Sequence, residues 1–299
     1  MPDKKDIRSE AITFTKMHGI GNDYIYINCM ESEPDRLPAL AREMSDRHFG
    51  VGGDGIVLIC PPTVTGAHFR MRMFNNDGSE ARMCGNASRC IAAYLHNHRI
   101  STLNPINLET LSGIKVLTLN KEGDSVESVT VDMGAPILDP ARIPVLSDDN
   151  RMIEKPVEVL GHSVIATAVS MGNPHCVIFM RERGELDFDR FGPAIERHPA
   201  FPDRVNVEFV TPLPDGSFDI RVWERGTGET LACGTGACAS AVAAVLTGRA
   251  QRGKHLIMHL RGGDLDVCWE EDRDGGRVMM TGPAEEVFTG TYFRKSQTR

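Results

Sequence analysis

Apolar and polar positions along this chain alternate in short runs more often than they recur at helical spacing. Phe69-Arg70-Met71-Arg72-Met73-Phe74 alternates with period two, the pattern of a strand with one buried face. Comparable strand-like runs lie at 24–28, 56–60, 114–119, 126–132, 164–170, 176–180, 205–210, 218–223, 256–260, 265–269 and 278–281. Lys121-Glu122-Gly123-Asp124 and Asp272-Arg273-Asp274-Gly275-Gly276 carry turn residues between such runs and read as hairpin ends. Helical spacing is confined to 36–49, 86–98, about 188–198, and 235–247. Strands and helices do not alternate strictly. An α+β arrangement of mostly antiparallel strands packed on few helices therefore fits better than a doubly wound parallel sheet.

Two of the helical stretches are unusually bland. Residues 237–246 carry no charge on any face, so that helix must be buried all round. Residues 87–95 are broken only by Ser88 and Arg89. A charge-free helix enclosed by sheet is the simplest packing for both.

The chain also repeats itself. Residues 74–86 parallel residues 222–235: a strand end, a Gly-bearing turn, a Glu four residues before a Cys, then Cys-Gly and a polar residue opening a small-residue helix. Cys84 and Cys233 are 149 residues apart, the Arg-His pairs at 47 and 197 are 150 apart, and the Gly-Asn pairs at 21 and 172 are 151 apart. A near-constant offset in three places indicates an internal duplication. The 299 residues, enough for one large domain or two, then divide into two structurally similar domains with a seam near 133–140. The expected boundaries are 1–133 with about 285–299, supplying Cys84, and 134–284, supplying Cys233.

Charge and cysteine content narrow the class. A formal charge of −8 disfavours nucleic acid and anionic membrane surfaces as partners. Eight cysteines in 299 residues are too few for a disulfide-stapled secreted module. The charged start, Met1-Pro2-Asp3-Lys4-Lys5-Asp6, is not followed by a signal-like apolar run, and nothing approaches the ~18 apolar residues of a spanning helix. These features predict a cytoplasmic protein with reduced thiols.

Cys84 and Cys233 carry the candidate chemistry. Each precedes Gly and a plausible N-cap, Asn86 or Thr235, at a strand-to-helix turn. A thiol there faces unpaired N–H groups and the positive end of a helix dipole, which favour a thiolate and can also hold a carboxylate. A lone cysteine in such a chain is more often a small buried hydrophobe. The same environment twice, at the repeat interval, points to paired function. Cys29, Cys60, Cys90, Cys176, Cys238 and Cys268 keep the packing role.

Other motifs are weaker. The spacings around Cys84 and Cys233 include no CxxC and no nearby His at ligand spacing, so a thiolate metal site is disfavoured. The Gly50–Gly55 run and the run opening at Gly234 match glycine fingerprints of dinucleotide sites, but the first precedes a strand, and the second opens a helix with no Asp or Glu until Asp264. Glu224-Arg225 reads either as a solvated ion pair or as an ammonium partner beside a carboxylate clamp. Asn22, Asn173 and Asn206 sit at strand ends, where turn formation is the ordinary role. His175 is either a core histidine or a neighbour that tunes a thiol. A redox dithiol remains a further reading of two matched cysteines.

With these motifs assembled, the chain closely resembles the diaminopimelate epimerase family. The matching segments run in family order: residues 14–24 (FTKMHGIGNDY), Phe74-Asn75-Asn76-Asp77-Gly78-Ser79-Glu80, Met83-Cys84-Gly85-Asn86, and Gly172-Asn173-Pro174-His175. Further on come Arg204-Val205-Asn206, residues 224–230 (ERGTGET), Ala232-Cys233-Gly234-Thr235-Gly236-Ala237-Cys238, and Met280-Thr281-Gly282-Pro283. The resemblance implies two similar α/β domains, each a mixed sheet curled around a central helix, with the active site in the cleft between them. It implies that a final strand near 287–293 returns to the first domain. It implies interconversion of LL- and meso-diaminopimelate by two thiols, with no cofactor and no metal, in a family where homodimers are common. By the same resemblance, Gly85, Asn86, Gly234 and Thr235 hold the reacting α-carboxylate and Glu224 contacts the reacting ammonium. Arg225 with Asn75, Asn173 and Asn206 grips the distal centre, Asn22 lines the cleft, and His175 lies near the thiols. Two departures stand out: Ala87 where the family often has Gly, and Gly55 where some members carry Gln. Relatives of the same fold racemise other amino acids such as histidine or proline, and the distal-site residues favour diaminopimelate over these.

Overall fold

A computed structural model describes residues 10–271 and 275–294. The charged start and residues 272–274 of the second expected hairpin lie outside the described residues. Contacts divide the chain into two units, one of residues 1–117 with 284–299, the other of residues 118–283.

The first unit runs β1 (Glu10–Gly19), β2 (Asn22–Asn28), α1 (Leu37–Ser45), β3 (Gly55–Cys60), β4 (Phe69–Asn75), β5 (Glu80–Ala81), α2 (Gly85–Asn97), β6 (Ile106–Thr110) and the first half of β7 (Gly113–Glu122), within which the division falls. β1 pairs antiparallel with β2, β2 parallel with β3, β3 antiparallel with β4, β4 parallel with β6, and β6 antiparallel with β7. The second unit begins with β8 (Ser125–Gly134), β9 (Lys155–Val159), β10 (His162–Ser170), β11 (Pro174–Phe179), α3 (Phe188–Glu196), β12 (Asn206–Pro212) and β13 (Phe218–Glu224). It continues with β14 (Gly228–Glu229), α4 (Gly234–Leu246), β15 (His255–Leu260), β16 (Gly263–Trp269) and β17 (Val278–Gly282). Its pairings from β10 to β16 reproduce those of β1 to β7 in order and sense. The last strand, β18 (Glu285–Arg294), runs antiparallel along β1 in the first unit, and β9 does the same along β10 in the second.

Central strands are buried on both faces, so they read as continuous apolar runs. Along β2, Ile25 and Ile27 pack with Leu40 and Met44 of α1. The alternate residues, Tyr24 and Tyr26, face the opposite side, the side of α2. In the second unit, Cys176 and Ile178 of β11 pack with Phe191 and Ile195 of α3. The charge-free α4 touches strands from β10 to β17, so the sheet curls around it and every face finds apolar company.

Several boundaries differ from the sequence pattern for physical reasons. α1 stops at Ser45 instead of reaching 49, because the Asp46 side chain accepts from the backbone N–H of His48 and Phe49 at 2.8 Å each and bends the chain. α2 and α4 begin one residue early. The extended N-cap residues are Cys84 and Cys233 themselves, not Asn86 and Thr235. The division between units falls before the 133–140 seam, since β8 pairs along β17.

Candidate active site

The two cysteines are delivered by the same local device. In the first unit, β4 ends at Asn75, a turn with Gly78 in the left-handed region (φ 85°) leads to β5, and the chain reaches Cys84. Arg72 Nε donates to Glu80 Oε1 at 2.9 Å and ties the two strands. In the second unit, β13, a turn through Gly226, and β14 lead to Cys233, and Arg221 Nε donates to Glu229 Oε1 at the same 2.9 Å. Both cysteines cap 13-residue helices with extended backbones, φ −139° at Cys84 and −123° at Cys233. Their carbonyls accept the first helical bonds, from Ser88 N at 2.9 Å and Ala237 N at 3.0 Å. The N–H groups of the next residues have no intrahelical acceptor and suit a carboxylate.

In the second unit, the Cys233 thiol is buried and lies 3.5 Å from Thr235 Oγ1. Burial pushes its pKa well up, and the charges of Glu224 and Glu208 add to this; Thr235 and the Gly236 N–H pull the other way. Glu224, at the end of β13, accepts from Thr230 Oγ1 at 2.7 Å. Its own pKa is raised by burial and by the charge of Glu208, against the lowering effects of Thr230, the His175 charge and a hydrogen bond from Cys233. The Glu224–Arg225 segment is held from behind by buried Glu196 of α3, which accepts from Trp223 Nε1 and Gly226 N at 3.0 Å each. Arg225 is exposed, and its guanidinium donates to the Asp203 carbonyl at 3.0 Å.

The amide-bearing residues are ordered by this scaffold. Asn173 Nδ2 donates to Thr235 Oγ1 at 3.3 Å, and Asn173 Oδ1 lies 3.0 Å from His175 Nε2. Asn206 donates to the Pro174 carbonyl at 2.9 Å and accepts from Arg225 N at 2.9 Å, so it spans β11 and the Arg225 turn. In the first unit, Asn22 Oδ1 accepts from Cys84 Sγ at 3.4 Å and from Asn86 Nδ2 at 3.2 Å. Asn75 instead donates within its own turn, to Ser79 Oγ at 3.0 Å. The first unit thus gathers Asn22, Cys84, Gly85 and Asn86. The second gathers Asn173, His175, Asn206, Glu224, Gly234 and Thr235 about Cys233.

Sequence reasoning missed Glu208. It is fully buried on β12, its Oε1 lies 2.7 Å from His175 Nδ1, and its Oε2 has no hydrogen-bond partner. A lone acid inside the apolar run Val205-Asn206-Val207-Glu208-Phe209-Val210 was the available signal. The remaining cysteines are buried, and burial pushes Cys90, for one, up to about 11. Among the described residues, no group of three or more His, Cys, Asp or Glu is arranged to hold a metal ion.

The family model described as diaminopimelate epimerase matches residues 14–138 and 167–287. A diaminopimelate epimerase of Desulfovibrio desulfuricans is 51% identical over 289 residues, covering 95% of this chain and 99% of the relative. One of Methanococcus maripaludis is 47% identical over 277 residues, covering 93% and 98%. Among solved structures, a hydroxyproline epimerase of Agrobacterium vitis superposes with TM-score 0.70 at 16% identity, covering 96% of this chain and 93% of the other. A PhzF-family phenazine biosynthesis protein of Bacillus anthracis superposes with TM-score 0.69 at 14% identity, covering 95% and 99%. These two likenesses speak to the fold alone.

Proposed function

The chain belongs to the diaminopimelate epimerase family, and we propose that Cys84 and Cys233 are the acid–base pair with which it interconverts LL- and meso-diaminopimelate. Inversion through a planar carbanion needs a base on one face of the α-carbon and an acid on the other. One thiolate removes the α-proton, the opposite thiol returns a proton, and the roles exchange in the reverse direction. In this reading each unit contributes one sulfur.

The observation that carries the proposal is the matched placement of the two thiols, each the N-cap of a 13-residue helix reached by the same strand–turn–strand device. The N–H groups of Gly85, Asn86, Gly234 and Thr235 would donate to the reacting carboxylate, where charge develops as the proton leaves. Glu224 would face the reacting ammonium. Arg225, with Asn75, Asn173 and Asn206, would receive the distal carboxylate and amine. Arg225 is suited to this because a planar guanidinium binds a carboxylate bidentately. Asn22 would line the same site, and His175 would act on Cys233 through Asn173 and Thr235.

No helix among the described residues is long and apolar enough to cross a membrane. We assign the enzyme to the cytoplasm, where both thiols stay reduced. We also assign it a homodimeric state; Val287, Phe288 and Phe293 on β18 are exposed apolar side chains that a second copy would cover, and sedimentation tests this. The catalytic reading is tested in heavy water with diaminopimelate, histidine and proline offered separately. Deuterium should enter diaminopimelate at the α-carbon with inversion. Labelling of histidine or proline instead would overturn the substrate assignment.

A further inference from the structure

The asparagines beside the two cysteines occupy equivalent places, yet their amides are turned opposite ways. Hairpin turns with Gly21 (φ 85°) and Gly172 (φ 99°) in the left-handed region place Asn22 and Asn173 at the starts of equivalent strand segments. In the second unit, Asn173 directs its NH2 group to Thr235 Oγ1. The threonine hydroxyl that accepts this bond still has its own proton to donate, and it lies 3.5 Å from Cys233 Sγ.

In the first unit a charge cluster decides otherwise. Asp54 Oδ2 accepts from Asn22 Nδ2 at 2.7 Å and from Asp23 N at 3.2 Å. Arg47 donates to Asp54 Oδ1 at 3.0 Å and to both oxygens of Asp23, at 2.7 and 3.1 Å. Buried Lys16 pairs with Asp23 Oδ2 at 2.6 Å and donates to the Gly52 carbonyl. A carboxylate only accepts, so the NH2 of Asn22 must face Asp54. Its Oδ1 is then presented to Cys84 Sγ at 3.4 Å, and Asn86 Nδ2 confirms that sense by donating to the same oxygen at 3.2 Å.

We propose that Asp54 is a positioning residue: by locking the Asn22 amide it presents to Cys84 a carbonyl oxygen that accepts the thiol proton, and so raises the pH at which Cys84 ionises. A thiolate at that place would face the negative end of the amide dipole. The N–H groups at the start of α2 pull the opposite way, towards the thiolate. The lock therefore offsets part of the pull of the helix terminus at Cys84. Titratable neighbours of Cys84 in its unit include Tyr26 on β2 and Cys90 on α2. They are the same in every variant below. The inference rests on the reading of Cys84 as one of the acid–base pair.

The test is the pH dependence of alkylation by iodoacetamide, read by peptide mass spectrometry so that Cys84 and Cys233 are followed separately in the full chain. Asn22→Ala removes the acceptor and leaves the Asp54–Arg47–Asp23 cluster intact. It should move the Cys84 midpoint to lower pH and raise its alkylation below that midpoint about fivefold, the size of one hydrogen bond. Asp54→Ala should act in the same direction, and adding it to Asn22→Ala should change nothing further. An unmoved Cys84 midpoint in Asn22→Ala would overturn the proposal. An Asp54→Ala shift of equal size with and without Asn22 would also overturn it, since Asp54 would then act through space. Failure of the catalytic reading looks different, because alkylating Cys84 would then leave turnover intact whatever the midpoint.

Discussion

His175 Nδ1 lies 2.7 Å from Glu208 Oε1, and neither residue has exposed surface. Behind this pair the chain of contacts continues from His175 through Asn173 and Thr235 to the Cys233 sulfur. A buried carboxylate thereby orients the groups that meet one thiol. Removing one partner of such a pair leaves the other desolvated and alone. Glu208→Ala should therefore lose about 3 kcal/mol or more of stability in urea unfolding. Glu208→Gln retains an oxygen for the ring N–H and should recover most of that loss.

Gly236 is helical, so its backbone would accept alanine without strain. Space is the constraint: a Cβ there would lie 2.8 Å from Glu208 Oε1 and 3.3 Å from Cys233 Sγ. Gly236→Ala should push the two apart and lower kcat more than tenfold, a misplacement effect. Its thermal unfolding should shift far less than that of Glu208→Ala.

Glu224 is raised above the ordinary carboxylate value of 4.5, first by burial. A carboxyl group raised in the fold holds its proton more tightly there than in the unfolded chain. Its contribution to stability is then fully present below 4.5 and is lost as pH rises from 4.5 through the raised folded value. Glu224→Gln stays neutral throughout, so its stability relative to the parent should grow across that window and level off above it. Paired thermal melts from pH 4 to pH 8 check the sign. Turnover of this variant should fall if Glu224 faces the reacting ammonium as proposed.

Much of the architecture was legible. The alternation in β4, the apolar runs of β3 and β12, and the blandness of α2 and α4 all carried through to the fold. So did the constant offset between the Cys-Gly turns, because equivalent pairings recur in both units. β9 was hidden because Pro156 reads against a strand, and β6 because Ile106-Asn107-Leu108-Glu109-Thr110 has just two strongly apolar positions. β1 was masked by Lys16, whose buried ammonium pairs with Asp23, beyond the turn that joins β1 to β2. Cys84 and Cys233 as caps defied preference rules, which favour Ser, Thr, Asp and Asn there. Glu208 and His175 could not be paired on paper. They lie 33 positions apart and meet only because β11 and β12 run parallel in adjacent register.

The most direct measurement of the central claim follows deuterium into the α-carbon of LL-diaminopimelate in heavy water, for the parent, Cys84→Ala and Cys233→Ala. The parent should yield meso product carrying solvent deuterium. Each variant should be slower at inversion by about three orders of magnitude, the scale of a lost general acid or base. Inversion at the parental rate in either variant would contradict the assignment of the two cysteines.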